Sequence, residues 1–419
     1  MPTATAAHIE EAEEIVTRLL TDPPQDPHPL YARLRAIDPI HRAAIGDFWT
    51  LTRYEDIHSA LKDRRFVRDY DDFRRRNSRG PVDYNRPFIR SQRLWFVFYN
   101  PPEYVGKRAL YGKAFTPAYV DDLRPTIERF ANQILDAAEA RGRLEVVHEL
   151  GYELTLAVIC HILGLDSARD GARFVEWAHA IGPTFDPLVT DEMLRRADEE
   201  TLKLEGFLRD LVRSLRRNPK NDLLSRLIAA DEAGELTEDE LMANAALVFT
   251  AGLETTTHFV GNCVYSLLRN PDQWRLFTGD PEGLVKNAVE ELLRYESSVQ
   301  ADPPLRLAAE DIEIAGTTIH KGEAVMPFIG AANRDPARYI DPDRLDITRQ
   351  DVRPLSFGDG LHVCLGQYLA RVETQIALMT LGRRFPDMEL LDEKPSWRPG
   401  VTNRTLNALP VRLHPGTTR

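Results

Sequence analysis

Cys364 stands in the run Phe357-Gly358-Asp359-Gly360-Leu361-His362-Val363-Cys364-Leu365-Gly366, and the residues after it recur at helical spacing. Leu365, Leu369, Val372, Ile376 and Met379 form one apolar face of a helix that begins just past the cysteine. The thiolate, not the thiol, binds metals, and the positive end of a helix lowers a thiol's pKa. Gly358 and Gly360 let the backbone turn sharply and come close to a flat partner, while N–H groups in such a turn can donate to the sulfur. A lone cysteine is most often buried and inert. An aromatic, two glycines, a histidine and a helix at these offsets predict a metal ligand instead.

A second constellation lies in Ala251-Gly252-Leu253-Glu254-Thr255-Thr256-Thr257. Upstream, Thr237-Glu238-Asp239-Glu240 has the form of a capping box, and no proline follows until Asn270-Pro271. That predicts a helix of roughly 32 residues and about 48 Å. Its middle, Ala243 to Gly252, is apolar except for Asn244 and Thr250, so the helix should be buried. A glycine costs ~1 kcal/mol in a helix interior and successive β-branched threonines add to that, which predicts a local distortion at a functional site. Glu254 and Thr255 set an acid beside an alcohol, a pair that can pass protons. The alternative returns the Thr255 hydroxyl to a carbonyl one turn back and pairs Glu254 with a surface base.

The cysteine run resembles the haem-binding loop of the cytochrome P-450 superfamily, matching its pattern at Phe357, Gly360, His362, Cys364 and Gly366. The resemblance implies a mainly α fold with a small β-rich region, and a single domain over residues 1–419. The cofactor it implies is heme b (iron protoporphyrin IX), lying between the long central helix and the helix after the cysteine loop. Cys364 would be the axial ligand, its thiolate pushing electron density toward O–O cleavage, and Gly358 would belong to the same loop. Ala251 and Gly252 would leave room for dioxygen, Thr255 would hydrogen-bond it, and Glu254 would feed protons.

Further positions follow by the same resemblance. Arg108 keeps the arginine that faces a haem propionate; Tyr104, four residues before it, replaces the usual histidine and can donate to that propionate or turn away. Arg306 matches a second propionate arginine, with His362 a further candidate. Glu291, Arg294 and Arg344 resemble a structural Glu-Arg-Arg network, with Leu345 where an aromatic is more usual. The implied reaction inserts one atom of dioxygen into an organic small molecule, in secondary-metabolite tailoring. Oxidative coupling, desaturation and a non-catalytic haem gas sensor are the alternatives. No Gly-x-Gly-x-x-Gly fingerprint is present, so electrons should come from a ferredoxin or flavodoxin with its reductase.

Composition agrees with an ordinary globular chain. Charged residues are 28% and apolar residues 43%, and 53 Lys and Arg against 65 Asp and Glu give a net charge of −12, which argues against nucleic acid as a partner. Cys160, Cys263 and Cys364 are odd in number and widely spaced, unlike a disulfide framework. The start, Met1-Pro2-Thr3-Ala4, soon reaches Glu10, Glu11, Glu13 and Glu14, and no ~18-residue apolar run follows. The expectation is a cytoplasmic monomer with no membrane association.

Along the rest of the chain, His41 to Ala44 and Phe48 to Leu51 flank Gly46-Asp47 as a hairpin. Val67 to Gln92, rich in Arg and Asp without periodicity, reads as a solvated loop; by resemblance it would cover the substrate pocket. Residues 121 to 220 read as helical, with Phe185 to Val189 either a lid or a plain helix-loop-helix. Asp280-Pro281 opens another helix, Asp311 to Ile329 reads as strand-turn-strand, and Arg398 to Val411 as a turn with strands. Leu247, Thr250 and Ala251, Val299 to Pro303, and Thr402 to Leu406, Arg404 among them, are the expected pocket lining, with Asp302 facing a basic substrate group.

Overall fold

Thr237 starts the longest helix. In the computed structural model its hydroxyl accepts the Glu240 N–H at 3.2 Å while Glu240 Oε2 accepts the Thr237 N–H at 2.8 Å, so the capping box closes both ways. The helix then runs Glu238–Arg269, 32 residues, and Leu241 through Thr250 are all buried. It stays α-helical through Ala251–Thr257, so the expected distortion is absent. Tertiary burial outweighs the weak local propensity of Gly252 and the threonines. A π-helical segment lies elsewhere, at Val146–Tyr152.

The structure describes residues 5–220, 222–302 and 305–414. Pro303, in the expected pocket stretch, and Pro304 lie outside the described residues, as do Met1 to Ala4. The architecture is mainly helical with small sheets. Contacts divide the chain into two compact units: Met1–Val67 with Arg124–Leu154 and Thr255–Arg419, and Arg68–Leu123 with Thr155–Glu254.

The first unit carries a five-stranded sheet in the order Ile40–Ala43, Phe48–Leu51, Ala324–Pro327, Arg306–Ala308, Phe66–Val67. The expected hairpin forms with Ile40 opposite Leu51 and Ala43 opposite Phe48, and Gly46 and Asp47 take φ of 82° and 52° in its turn. The helix Tyr54–Lys62 lays Tyr54, Ile57, Ala60 and Leu61 into a core with Ile312, Ile319, Val325 and Ile329. These are helical spacings, and each large aliphatic buried there contributes about 1.5–3 kcal/mol. The stretch Asp311 to Ile329 holds three strands, Ile312–Ile314, Thr317–Ile319 and Ala324–Pro327. Asp280 caps Pro281–Tyr295 by accepting the Gly283 N–H at 3.0 Å.

The second unit corrects one reading. The mixed-charge stretch after Val67 is not a solvated loop: Tyr70–Asn77 and Pro87–Arg93 are helices. Asp69 caps the first by accepting the Asp72 N–H at 2.8 Å, and Tyr70, Phe73, Arg74, Arg76 and Asn77 are buried. The arginines hid the amphipathic face because their charge masks burial along a short helix. Further on, Ser167–Ile181 and Asp191–Arg217 flank a 3₁₀ turn at Gly182–Phe185. Val146–Leu163 is one stretch among the described residues long and apolar enough to cross a membrane, and 67% of it is buried.

Candidate functional site

Gly366 caps the helix Gln367–Arg384, which begins three residues past Cys364 and is buried on nearly every side, Glu373, Thr374 and Gln375 included. The sequence pattern had suggested one buried face. Cys364 itself is the exposed cysteine of the three, whereas Cys160 and Cys263 are buried. Burial pushes the Cys263 thiol far up, which leaves it inert.

The loop before Cys364 is held from four directions. Its two ends meet where the Cys364 N–H donates to Phe357 O at 2.8 Å. Asn333 clamps the entry, accepting the Leu355 N–H at 2.8 Å and donating to Ser356 Oγ at 2.9 Å, while Ser356 Oγ donates to Leu293 O at 2.7 Å. Arg371 from the following helix lies 4.5 Å over the Phe357 ring and pairs with Glu290. From the helix Tyr54–Lys62, His58 Nε2 sits 2.9 Å from Asp359 Oδ2, and the end of that helix abuts Gly360.

Gly360 has φ +68°, and a Cβ there would lie 2.5 Å from Leu61 O. Gly358 has φ +66° with nothing within 4 Å of its would-be Cβ. Both positions favour glycine for their backbone, but only Gly360 needs it for contact. His362 ends the short 3₁₀ turn Gly360–His362 and is half-buried. An exposed thiol on a rigid loop with open space beside Gly358 and Gly366 fits a flat, metal-centred cofactor.

Arg306 is buried on its strand and pairs through Nε and Nη2 with Asp302 Oδ2, both at 3.1 Å. The basic group expected to meet Asp302 from a substrate is thus matched within the chain. Val299 bridges Asn403, and the Gln300 N–H donates to Thr402 O at 2.8 Å, so these two expected pocket stretches do come together. Thr402 is fully buried. Arg404 turns to the fold: its guanidinium lies 3.5 Å over Trp397 and its Nε 3.3 Å from Glu296. Burial pushes the Glu296 carboxyl up, but His28, Arg404 and Arg334 outweigh it and hold it down at about 2.

The structural network is corrected in one member. Arg294, fully buried, donates from Nε and Nη2 to Glu291 at 2.7 Å and from Nη1 to Pro342 O at 2.7 Å. The second cation on Glu291 is Arg349 at 3.2 Å, which also donates to Ile340, Asp341 and Arg344 carbonyls. Arg344 is exposed and contributes only its backbone carbonyl, because the turn after Pro342 points its side chain outward. Arg349, His58 and Arg371 were missed; each acts across a long sequence separation that no local pattern encodes.

In the second unit, Tyr104 is buried beside Phe96, and Arg108 Nη1 donates to the Tyr104 hydroxyl at 2.7 Å. That favours a phenol oriented by its i+4 arginine. On the central helix, Leu247 and Thr250 are buried, and Thr250 Oγ1 has no hydrogen-bond partner among the described residues. Ala251 is exposed directly after that buried run, and a Cβ on Gly252 would touch Ile159 Cδ1 at 3.4 Å. Glu254 Oε1 lies 3.9 Å from His179 Nε2. Thr255, which opens the helix's part in the first unit, is half-buried, and Thr257 nearby donates to Gly151 O at 3.3 Å.

Comparison with known proteins bears on these findings. The family profile described as Cytochrome P-450 matches residues 185–275 and 283–403. The chain is 37% identical over 398 residues to the Vitamin D(3) 25-hydroxylase of Pseudonocardia autotrophica, covering 93% of this chain and 94% of that protein. It is 33% identical over 404 residues to the Polyketide biosynthesis cytochrome P-450 PksS of Bacillus subtilis, covering 93% and 96%. Among solved structures, P-450 BioI in complex with hexadec-9Z-enoic acid ligated acyl carrier protein superposes with a TM-score of 0.86 at 34% identity, covering 95% of this chain and all of that one. A cysteine loop built as above, in a chain aligned with such proteins over nearly its whole length, places it among the monooxygenases of the cytochrome P-450 family, to which it belongs.

Proposed function

We propose that residues 1–419 act as one catalytic domain that binds heme b through Cys364 and oxidises an organic small molecule in secondary-metabolite tailoring. The observation that carries this is the exposed Cys364 thiol, on a loop fixed by Asn333, Arg371 and His58. The polyketide-biosynthesis relative supports the metabolic setting. Haem, when bound, supplies the activation of dioxygen.

The chain's own groups hold, orient and protonate. Cys364 provides the anionic ligand, and Phe357, Gly358, Gly360, His362 and Gly366 shape the loop against the macrocycle. Arg306 and His362 in the first unit, and Arg108 with Tyr104 in the second, are the groups that would meet the cofactor's carboxylates. Ala251 and Gly252 keep the helix surface low where the small co-substrate must fit. The Glu254 carboxyl takes protons from the His179 side and delivers them to the Thr255 hydroxyl. Leu247 and Thr250 in the second unit, and Val299 and Thr402 in the first, are the residues assigned to substrate contact. Electrons come from a ferredoxin or flavodoxin with its reductase, and the protein works as a cytoplasmic monomer without nucleic-acid or membrane partners.

The test is a carbon monoxide difference spectrum of the reduced, haem-loaded protein. The red-shifted Soret band of sulfur ligation is expected, and it should vanish in Cys364→Ala. The same spectrum from both proteins would overturn the assignment.

A further inference from the structure

Arg74 sits on the helix Tyr70–Asn77 with no exposed surface. Its Nη2 donates to Gln92 Oε1, the Tyr70 hydroxyl also faces it, and its guanidinium lies 5.1 Å from the Phe73 ring centre and 5.8 Å from that of Phe88. Nε and Nη1 have no partner, and among the described residues no carboxylate pairs with this cation. The acids on its own helix are engaged elsewhere: Asp72 with Arg75 and Arg76, Asp71 with Arg93. Buried charges are otherwise found paired, because removing an ion from water is costly unless a counter-charge replaces the lost hydration. Burial accordingly pushes this guanidinium's pKa down.

The unmet polar groups continue around it. Gln92 uses Oε1 for both Arg74 and the Tyr70 hydroxyl, leaving Nε2 without an acceptor. Asn77, one helical turn on and fully buried, has neither side-chain atom bonded, and the Trp95 indole N–H is likewise without an acceptor. Trp95 stands 6.1 Å from Phe88, so aromatic rings flank the donors. Donors in excess of acceptors, one positive charge and aromatic neighbours are the chemistry that suits an amphipathic ligand with a single negative charge.

We infer that Arg74 is the anchor for a carboxylate on the ligand, with Gln92 as its orienting neighbour. This rests on the monooxygenase reading above only in taking that ligand to be the substrate. A carboxylate balances one guanidinium and accepts from its open N–H groups. A phosphate dianion would call for a second cation, and the other two on the helix, Arg75 and Arg76, are already paired with Asp72.

The test measures binding to the haem-loaded protein by calorimetry, with dodecanoate, hydrocinnamate and cholate, each beside its methyl ester and the corresponding amine. At least one acid should bind about 10-fold or more tighter than its ester, the scale of a charged hydrogen bond. In Arg74→Met that preference should fall to about one, and Arg74→Lys should keep part of it. Without ligand, Arg74→Met should melt no lower than the parent, since an apolar side chain of similar volume replaces an unpaired buried cation. Equal binding of acid and ester, tighter binding of the amine, no binding of any acid, or a preference that survives in Arg74→Met would each overturn the inference. So would a marked drop in the melting point of ligand-free Arg74→Met, which would make the arginine structural. If Arg74→Met does not fold, the parent's acid-to-ester ratio and the Arg74→Lys ratio decide alone. None of these outcomes touches the carbon monoxide spectrum, so the inference and the haem-thiolate reading fail separately.

Discussion

Replacing Gly360 by alanine should damage the cysteine loop more than replacing Gly358, although the two sit two residues apart with nearly the same φ of +68° and +66°. The left-handed backbone alone costs a residue with a Cβ about 1–2 kcal/mol, and that applies to both. At Gly358 nothing lies within 4 Å, so the cost stops there. At Gly360 the new methyl would sit 2.5 Å from Leu61 O and 3.0 Å from Lys62 Cα, both backbone at the end of a packed helix. Relieving that overlap moves the loop or the helix, adding about 1–3 kcal/mol. Gly360→Ala should therefore lose about 2–5 kcal/mol and Gly358→Ala about 1–2. Urea unfolding of the holoprotein, followed by haem absorbance and tryptophan fluorescence so that coincident curves justify a two-state fit, measures both. Losses equal within about 0.5 kcal/mol would refute the role given to the Leu61 contact.

Arg349→Ala removes a cation from buried Glu291 and three carbonyl contacts, and should cost about 2–4 kcal/mol in the same assay, whereas Arg344→Ala should stay within about 0.5. A reversed order would restore Arg344 to the network. Glu296, depressed to about 2 from 4.5, contributes stability that is present above pH ~4.5 and lost as pH falls toward ~2. That is worth about 3 kcal/mol, so the acid slope of stability in this window should be shallower in Glu296→Gln; unchanged slopes would contradict it. Thr255→Ala should keep the carbon monoxide spectrum while product formation falls by on the order of 10²-fold and reductant is consumed without product. Unchanged coupling would remove the proton relay.

Local chemistry was readable where neighbours in sequence are neighbours in space. The Thr237 box, the Asp280 cap, the hairpin at Gly46-Asp47 and the length of the central helix all follow from interactions within a few residues. So did the turns of the cysteine loop, where Gly358 and Gly360 take positive φ, although the Leu61 contact that also requires Gly360 did not. What the sequence concealed depends on partners far away. Arg74 and Arg76 read as solvated because charge normally is, and nothing local announces Gln92 or the Phe88 ring as company. Arg344 was expected in the network and Arg349 was not, because a turn's side-chain direction cannot be read from spacing. The threonine cluster was expected to deform a helix that tertiary packing keeps regular.

The tether between His58 and Asp359 joins positions about 300 residues apart. At a synthesis rate of ~5–20 residues per second, the early helix waits roughly fifteen seconds to a minute on the ribosome before its partner emerges. With Cys364 as the proposed ligand, porphyrin capture would fall in the last part of biogenesis, and a chain stalled before that residue would lack the group that holds the metal.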